Sequence, residues 1–258
     1  MIPVATEFER TLNPQIDAAL LADDKVRSQE HEAGRRWPKD RLSAGKLWQP
    51  LQWQALKALG CPARPIEPYA RRLFLRGRQC EDWLVEQLKR VHTVTEQVPI
   101  EYRECVGYVD VLLGTLSAAT VPDGTRGAIP WEIKSVANMK YKRIEKQGPD
   151  RGHLLQACLY ALAIGAPEFG VIYVAADDFR VRPYLVPTAQ IQPQVDEVIT
   201  KFKDWQPRGT VPEFEPIENW HSNPRYSPYP EWAGLDEQER TIKLALERLS
   251  WQTTSIPA

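Results

Sequence analysis

The chain has 258 residues, of which 43% are hydrophobic and 26% charged, with a net charge of -1. This length is enough to bury a core in a single domain, and the near-neutral balance gives no global indication of a polyanion partner. No run approaches the roughly 18 apolar residues of a membrane span. The first residues lack the basic and then apolar plan of a signal peptide, so we expect a cytoplasmic protein with no membrane association.

In the first third of the chain the sequence predicts helices joined by polar links. Residues 14–24 are predicted to form a short amphipathic helix, and residues 27–39 a polar link. Residues 43–59 read as a helix with Ser43 as N-cap and Gly60 as its end. Several prolines then break the chain, and residues 69–91 carry a long helical pattern.

The remainder alternates strands with helices. Strands are predicted at 94–104, 106–116 and 128–135, with a turn at 122–125, and then at 170–176 and 181–186. Helices are predicted at 153–164, 193–205 and 235–251, with a charged loop at 140–150 and an irregular but packed segment rich in Pro and Trp at 207–232. This order predicts an α/β fold with a mixed central β-sheet flanked by helices on both faces.

Two short strand segments carry the most informative residues. They read Gly107-Tyr108-Val109-Asp110 and Trp131-Glu132-Ile133-Lys134. Because side chains alternate faces along a strand, Glu132 and Lys134 point the same way. An apolar strand has little reason to aim a carboxylate and an ammonium at one place unless the site needs both. A cross-face salt bridge is the alternative, although exposed pairs of this kind add little stability.

Two carboxylates beside a lysine suit a Mg²⁺ site that also binds phosphate. Mg²⁺ prefers hard oxygen ligands and keeps several waters, so Asp110 and Glu132 are enough protein ligands when substrate phosphate completes the shell. Lys134 would orient or deprotonate the attacking water, or stabilise charge on the transition state. The chemistry that this pattern predicts is phosphodiester hydrolysis by Mg²⁺ or Mn²⁺.

The ordered motifs resemble the PD-(D/E)XK nuclease superfamily. Gly107-x-x-Asp110 is followed by Glu132-x-Lys134 and then by Gln156-x-x-x-Tyr160, whose side chains lie four apart on one helix face. The pattern is most similar to the branch with the RecB nuclease domain, Cas4 and phage exonucleases of the lambda and YqaJ type. Upstream, Gly77-x-x-x-Glu81 is similar to a motif of the phage-type members.

The resemblance implies a fold, a site and an activity. It implies a restriction-endonuclease-like core at 69–205, an N-terminal helical extension at 1–68 and a C-terminal addition at 206–258, all in one nuclease domain. It implies catalytic roles for Gln156 and Tyr160, and metal contacts from Glu81 and the Ile133 carbonyl. It also implies an exonuclease that acts on DNA ends.

Basic residues near these motifs are candidates for substrate binding. Arg78 lies beside Glu81 in an arginine-rich stretch, and His153 precedes the helix of Gln156. The remaining candidates form a basic segment with one aromatic residue, suited to gripping a backbone and stacking a base: Lys140, Tyr141, Lys142 and Arg143. A solvated charged loop is the alternative for this segment.

The four cysteines do not indicate a metal cluster. None forms a Cys-x-x-Cys pair, and no histidines complete a zinc pattern. Many Cas4-like relatives hold an iron–sulfur cluster through one early and three late cysteines, but residues 43–48 and 219–227 contain none. We therefore expect no iron–sulfur cluster.

The sequence thus predicts a Mg²⁺- or Mn²⁺-dependent deoxyribonuclease in DNA processing, recombination or repair. Two alternatives stay open: a non-catalytic nucleic-acid-binding module on the same fold, and an endonuclease for RNA or for structured repair intermediates. The expected partner is DNA, single- or double-stranded, and a recombinase, helicase or single-strand-binding protein is a possible companion.

Overall fold

The computed structural model describes Ala18, Ala22 and residues 36–38, 40–114 and 127–254. Most of the helix predicted at 14–24 and the turn predicted at 122–125 lie outside these residues. The described strands are β1 (Leu42–Ser43), β2 (Thr93–Tyr102), β3 (Cys105–Gly114), β4 (Ala128–Val136), β5 (Glu168–Ala175) and β6 (Val181–Pro187). The helices are α1 (Leu51–Ala58), α2 (Pro68–Lys89), α3 (Asn138–Gln147), α4 (Arg151–Ile164), α5 (Thr188–Trp205) and α6 (Glu237–Thr254).

The strands form one mixed six-stranded sheet in the order β1-β3-β4-β5-β6, with β2 paired to β3. The pairs β2–β3, β3–β4 and β5–β6 are antiparallel, whereas β1–β3 and β4–β5 are parallel. The connection from β4 to its parallel neighbour β5 runs through α3 and α4, as a parallel crossover requires. The predicted mixed sheet is confirmed.

Helices cover both faces of the sheet, as predicted. On one face α4 and α5 pack against residues such as Phe169, Val171 and Tyr173 of β5. On the other face α2 packs through Cys80, Leu84 and Val85. The alternate residues of β5 divide between the two cores, so this strand is buried on both sides, as is usual in sheets with parallel strands.

The helix predicted at 43–59 is wrong in its first part. Leu42 and Ser43 instead form β1, whose register places Ser43 opposite Val106 of β3. Ala44–Lys46 is a single 3-10 turn, and the α-helix begins only after Pro50. Ser43 has an extended backbone, and its side chain makes no capping hydrogen bond. The segment predicted as a helical extension therefore adds a strand to the sheet.

Two further boundaries differ from the predictions. The segment predicted as a charged loop at 140–150 is helical over α3, because Tyr141 and Ile144 lie three apart and anchor one buried face. Helix α5 begins at Thr188 rather than at Pro193, so this proline lies inside the helix.

The irregular segment predicted at 207–232 is confirmed as packed. Short 3-10 turns follow one another, and Tyr229 and Trp232 are buried against Trp53 and Leu56 of α1. Within the described residues, no helix has the length and apolar character needed to cross a membrane.

Candidate active site

The site lies where one edge of β3 opens. Strand β2 pairs with almost the whole of one edge of β3, and β1 and β4 share the other edge of β3. β1 pairs at Cys105 and Val106, and β4 pairs from Val111 onward. Within the described residues, positions 107–110 of that edge have no ladder partner. Asp110 is therefore the last residue before β4 joins β3.

Asp110 and the Glu132–Lys134 pair meet at this opening. One carboxylate oxygen of Asp110 accepts a hydrogen bond from the backbone N–H of Ile133 at 2.8 Å. The ammonium of Lys134 donates to Oε1 of Glu132, so these two side chains share a face as the alternation predicts. The structure thus brings together the three residues on which the sequence prediction depends.

Glu132 has an unusual environment for a carboxylate. Its side chain is 0% exposed, and its second oxygen, Oε2, has no hydrogen-bond partner within the described part of the chain. A buried oxygen of this kind carries a large desolvation cost unless something binds it. Burial also lowers the pKa of Lys134, against the opposing effects of Asp110 and Glu81.

Glu81 approaches the same place from α2. Its pKa is raised to about 7, first by burial and then by the negative charge of Asp110. Burial likewise raises the pKa of Asp110. Gln97 of β2 donates to Glu81 at 3.3 Å. A carboxyl group whose ionisation is opposed by burial and by a neighbouring carboxylate is stabilised in its charged form by a cation.

Helix α4 contributes the predicted Gln156 and Tyr160. The amide of Gln156 donates to the Tyr160 hydroxyl at 2.6 Å, as the spacing of four residues allows. Tyr160 is 1% exposed, and its pKa is raised well above 10, mainly by burial and further by Asp110. Gly45, which follows β1, lies against the Gln156 side chain. Gln156 therefore separates the buried tyrosine from the solvent side of the site.

A cleft of about 640 Å³ opens in front of Lys134 and Gln156. Its lining is mainly cationic and polar and comes from four separate parts of the chain: Gly45, Trp48, Lys134, Lys140, Arg143, Asp150, Arg151, Gly152, His153, Gln156 and Glu218. Trp48 and Asp150 are cleft residues that the sequence reasoning missed. Only their position in the fold identifies them, because they belong to no local motif.

Asp150 organises the basic residues of this cleft. Its carboxylate is 2.6 Å from Lys140 Nζ and accepts from Arg143 at 2.7 Å. Hydrogen bonding and charge from Lys140 lower its pKa against the effect of burial. Two cations are thereby held at one wall of the cleft beside a single anion.

His153 is neutral in this setting. Burial and the charges of Lys134 and Lys140 lower its pKa to about 3. The Tyr173 hydroxyl accepts the Asp150 N–H at 3.0 Å and lies 2.8 Å from Nδ1 of His153. The hydroxyl proton of Tyr173 is then available to donate to Nδ1 of His153. In the tautomer that accepts it, the proton of the neutral ring is on Nε2, which is therefore the hydrogen-bond donor of the imidazole.

Three residues predicted to contact the substrate do not line this cleft. Tyr141 is 2% exposed, below the guanidinium of Arg180, so the prediction that it stacks a base is wrong. It faces the core because it anchors α3. Lys142 lies on the exposed side of that helix and does not line the cleft. Arg78 is exposed on α2, three residues before Glu81.

The residues present fit a divalent cation. Among the described residues, no three His, Cys, Asp or Glu side chains are gathered closely enough to hold a metal ion by themselves. Mg²⁺, however, commonly takes only one or two carboxylates and keeps its waters. The hard oxygens of Asp110 and Glu132, one of them without a partner, meet that requirement.

No family model matches the chain, and no curated protein matches it. Among solved structures, the crystal structure of SSO0001 is similar with a TM-score of 0.51 and 16% identity, over 85% of this chain and 96% of that one. An alkaline exonuclease from Laribacter hongkongensis, LHK-Exo, has a TM-score of 0.44 and 14% identity, over 66% of this chain and 92% of its own. LHK-Exo in complex with dAMP gives the same values. The first likeness is one of fold alone.

Proposed function

We propose that this protein is a metal-dependent deoxyribonuclease of the PD-(D/E)XK type that hydrolyses phosphodiester bonds, acting on DNA ends. The observation that carries the proposal is the meeting of Asp110, Glu132 and Lys134 at the opened edge of β3, in front of a cationic cleft. Binding alone does not require a buried carboxylate with an unpartnered oxygen.

Asp110 and Glu132 would hold the cation, with Glu81 and the Ile133 carbonyl as further ligands. When bound, a divalent cation neutralises charge on the scissile phosphate and lowers the pKa of water. Burial and, after it, the negative charge of Asp110 raise the pKa of Glu81 to about 7, and this environment of the carboxyl group supports a cation at this point.

Lys134 is the group for proton transfer or charge stabilisation. Burial lowers its pKa, which brings an ammonium closer to the range in which it exchanges a proton at neutral pH. Its contact with Glu132 fixes the direction of Nζ. Gln156 lines the cleft next to Lys134 and is oriented by Tyr160, so it would position the substrate or Lys134.

The cationic cleft would hold the DNA backbone. Lys140 and Arg143 on one wall and Arg151 on another offer charge to phosphates. His153, which is neutral, would add a ring N–H donor without adding charge. This wall is next to Lys134, so a phosphate bound there would lie beside the reacting group.

The test uses end-labelled linear DNA and covalently closed circular DNA with Mg²⁺ or with EDTA. We expect Mg²⁺-dependent release of nucleotides from the linear substrate and an intact circle. Glu132→Ala and Lys134→Ala should each lower the rate by about 100-fold or more while DNA binding persists. Lys142→Ala is the matched control because this exposed lysine is on the neighbouring helix and outside the cleft.

Each other result has a definite meaning. Cutting of the closed circle would make the enzyme an endonuclease. Binding without cleavage under any metal would make the protein a non-catalytic module. Near wild-type cleavage by Glu132→Ala or by Lys134→Ala would refute the assignment of the active site to these residues.

A further inference from the structure

Helix α2 extends well beyond the part that packs on the sheet. From Cys80 onward, its inner face is buried through Cys80, Leu84 and Val85. Toward the N-terminus the same face becomes exposed, and Phe74 has 57% of its surface accessible. Leu73 and Leu75, on either side of it in sequence, are exposed as well, and neighbouring exposed apolar side chains of this kind indicate a surface that binds something.

This exposed part of α2 is strongly basic. Between Pro68 and Cys80 it carries four arginines and no acidic residue: Arg71, Arg72, Arg76 and Arg78. The next residue is Glu81, which interacts electrostatically with Asp110 of the candidate active site. The basic part of the helix is therefore continuous with the site.

The spacing aligns an arginine and an aromatic ring with Glu81. Arg78 and Phe74 lie three and seven residues before Glu81, which is about 4.5 and 10.5 Å along the helix axis and within about 60° of its direction. Stacked nucleotides follow at about 3.4 Å per phosphate on one strand. The interval from Glu81 to Phe74 thus spans about three nucleotides.

We infer that this stripe, formed by Arg78 and Phe74, binds unpaired nucleotides next to the cleavage site, with a phosphate on Arg78 and a base stacked on Phe74. The inference rests on the proposed function for what lies at Glu81. Charge complementarity favours a polyanion over an apolar protein segment. A phenyl ring needs an open base face, which an unpaired strand offers and the interior of a duplex does not.

The test measures binding by fluorescence anisotropy in EDTA, where no cleavage takes place. The probes are a labelled oligodeoxythymidine of about 12 nucleotides and a blunt hairpin duplex whose loop is a non-nucleotide linker. Phe74→Ala should weaken oligodeoxythymidine binding roughly 5- to 150-fold and leave hairpin binding within about twofold, since the bases of that probe are all paired. Arg78→Ala should reduce the slope of log affinity against log salt by about 0.7.

Two controls are matched to these variants. Tyr69 is 66% exposed on the same helix but points about 120° away from Glu81, so Tyr69→Ala should have little effect. Phe74→Trp keeps a stacking ring and should retain binding. Circular dichroism of Phe74→Ala checks directly that a loss of binding in that variant is not a loss of folding.

Three results would overturn the inference. The first is that Phe74→Ala and Tyr69→Ala weaken oligodeoxythymidine binding equally, and the second is that Phe74→Ala weakens hairpin binding as much as oligodeoxythymidine binding. The third is that Phe74→Ala changes the sedimentation coefficient of the protein but not its oligodeoxythymidine affinity, which would make this face a protein interface. Because binding is measured without cleavage, the stripe can fail while the nuclease activity stands, or the reverse.

Discussion

The pair of the fully buried Glu132 and the cleft-lining Lys134, whose side chain is 28% exposed, can be tested by removing its charges one at a time and together. Lys134→Met leaves a carboxylate that is 0% exposed with no cationic partner, which costs about 3–5 kcal/mol of the free energy of unfolding. For a chain of this size that is about 10 °C in melting temperature. The double variant Glu132→Leu/Lys134→Met removes both charges and should be as stable as the wild type or more stable, by up to about 4 kcal/mol.

Urea unfolding followed by circular dichroism measures both variants, and the end-labelled DNA assay measures cleavage. The proposed function predicts a stable double variant with no activity, because it assigns the pair to chemistry and not to stability. Lys201→Met is the control, since its partner Glu197 is on the surface and such a pair is worth at most about 1 kcal/mol. A double variant as unstable as Lys134→Met, or one that still cleaves DNA, would refute this reasoning.

Two further predictions concern the cleft. Asp150→Asn removes the anion that Lys140 and Arg143 share. DNA binding should tighten, and the slope of log affinity against log salt should steepen by about 0.9 for each cation freed. An unchanged slope would contradict the role given to Asp150. His153, whose pKa burial lowers to about 3, is neutral when folded but takes up a proton near pH 6.5 when unfolded. Between those two pH values, the free energy of unfolding should therefore fall by about 1.4 kcal/mol for each unit by which pH decreases. In His153→Gln the free energy of unfolding should fall less steeply. An NMR titration of the ring with a midpoint near 6.5 would be the contrary result.

The strands and the central pair could be predicted because their information is local. Alternation along β4 assigns Glu132 and Lys134 to one face whatever the neighbouring elements are, and the structure has them in contact. The same holds for Gln156 and Tyr160, which are one helical turn apart and hydrogen-bonded. Period and spacing alone are enough for such pairs.

The cleft could not be predicted because its parts are distant in sequence. Trp48 follows β1, Asp150 precedes α4, and Glu218 lies in the irregular segment, yet all line one cavity. The position of β1 is decided by its pairing with β3, a tertiary contact that overrides the helical pattern of residues 43–59. Tyr141 was expected in a loop because charge dominates its segment, although the pair of Tyr141 and Ile144 determines which side of α3 is buried.

The position of Asp110 depends on a reversal of side-chain direction within β3. Val109 belongs to the core under α4 and α5, but Val111 belongs to the core under α2. Residues two apart on a regular strand share a face, so the strand turns over at Asp110. At this residue the carboxylate accepts a hydrogen bond from the Ile133 N–H of the neighbouring strand β4.

The facing strand has the matching irregularity. Gln97 lies opposite Asp110 in the register of β2 and β3 and has a φ of 49°, a left-handed conformation that is unfavourable for a residue with a side chain. The same residue donates to Glu81. Backbone strain of this kind persists where the surroundings impose it, often at functional sites. Here the strained residue lies across from the one whose carboxylate accepts the Ile133 N–H of β4, and its own side chain contacts Glu81, so the irregular backbone of both strands falls at the candidate site.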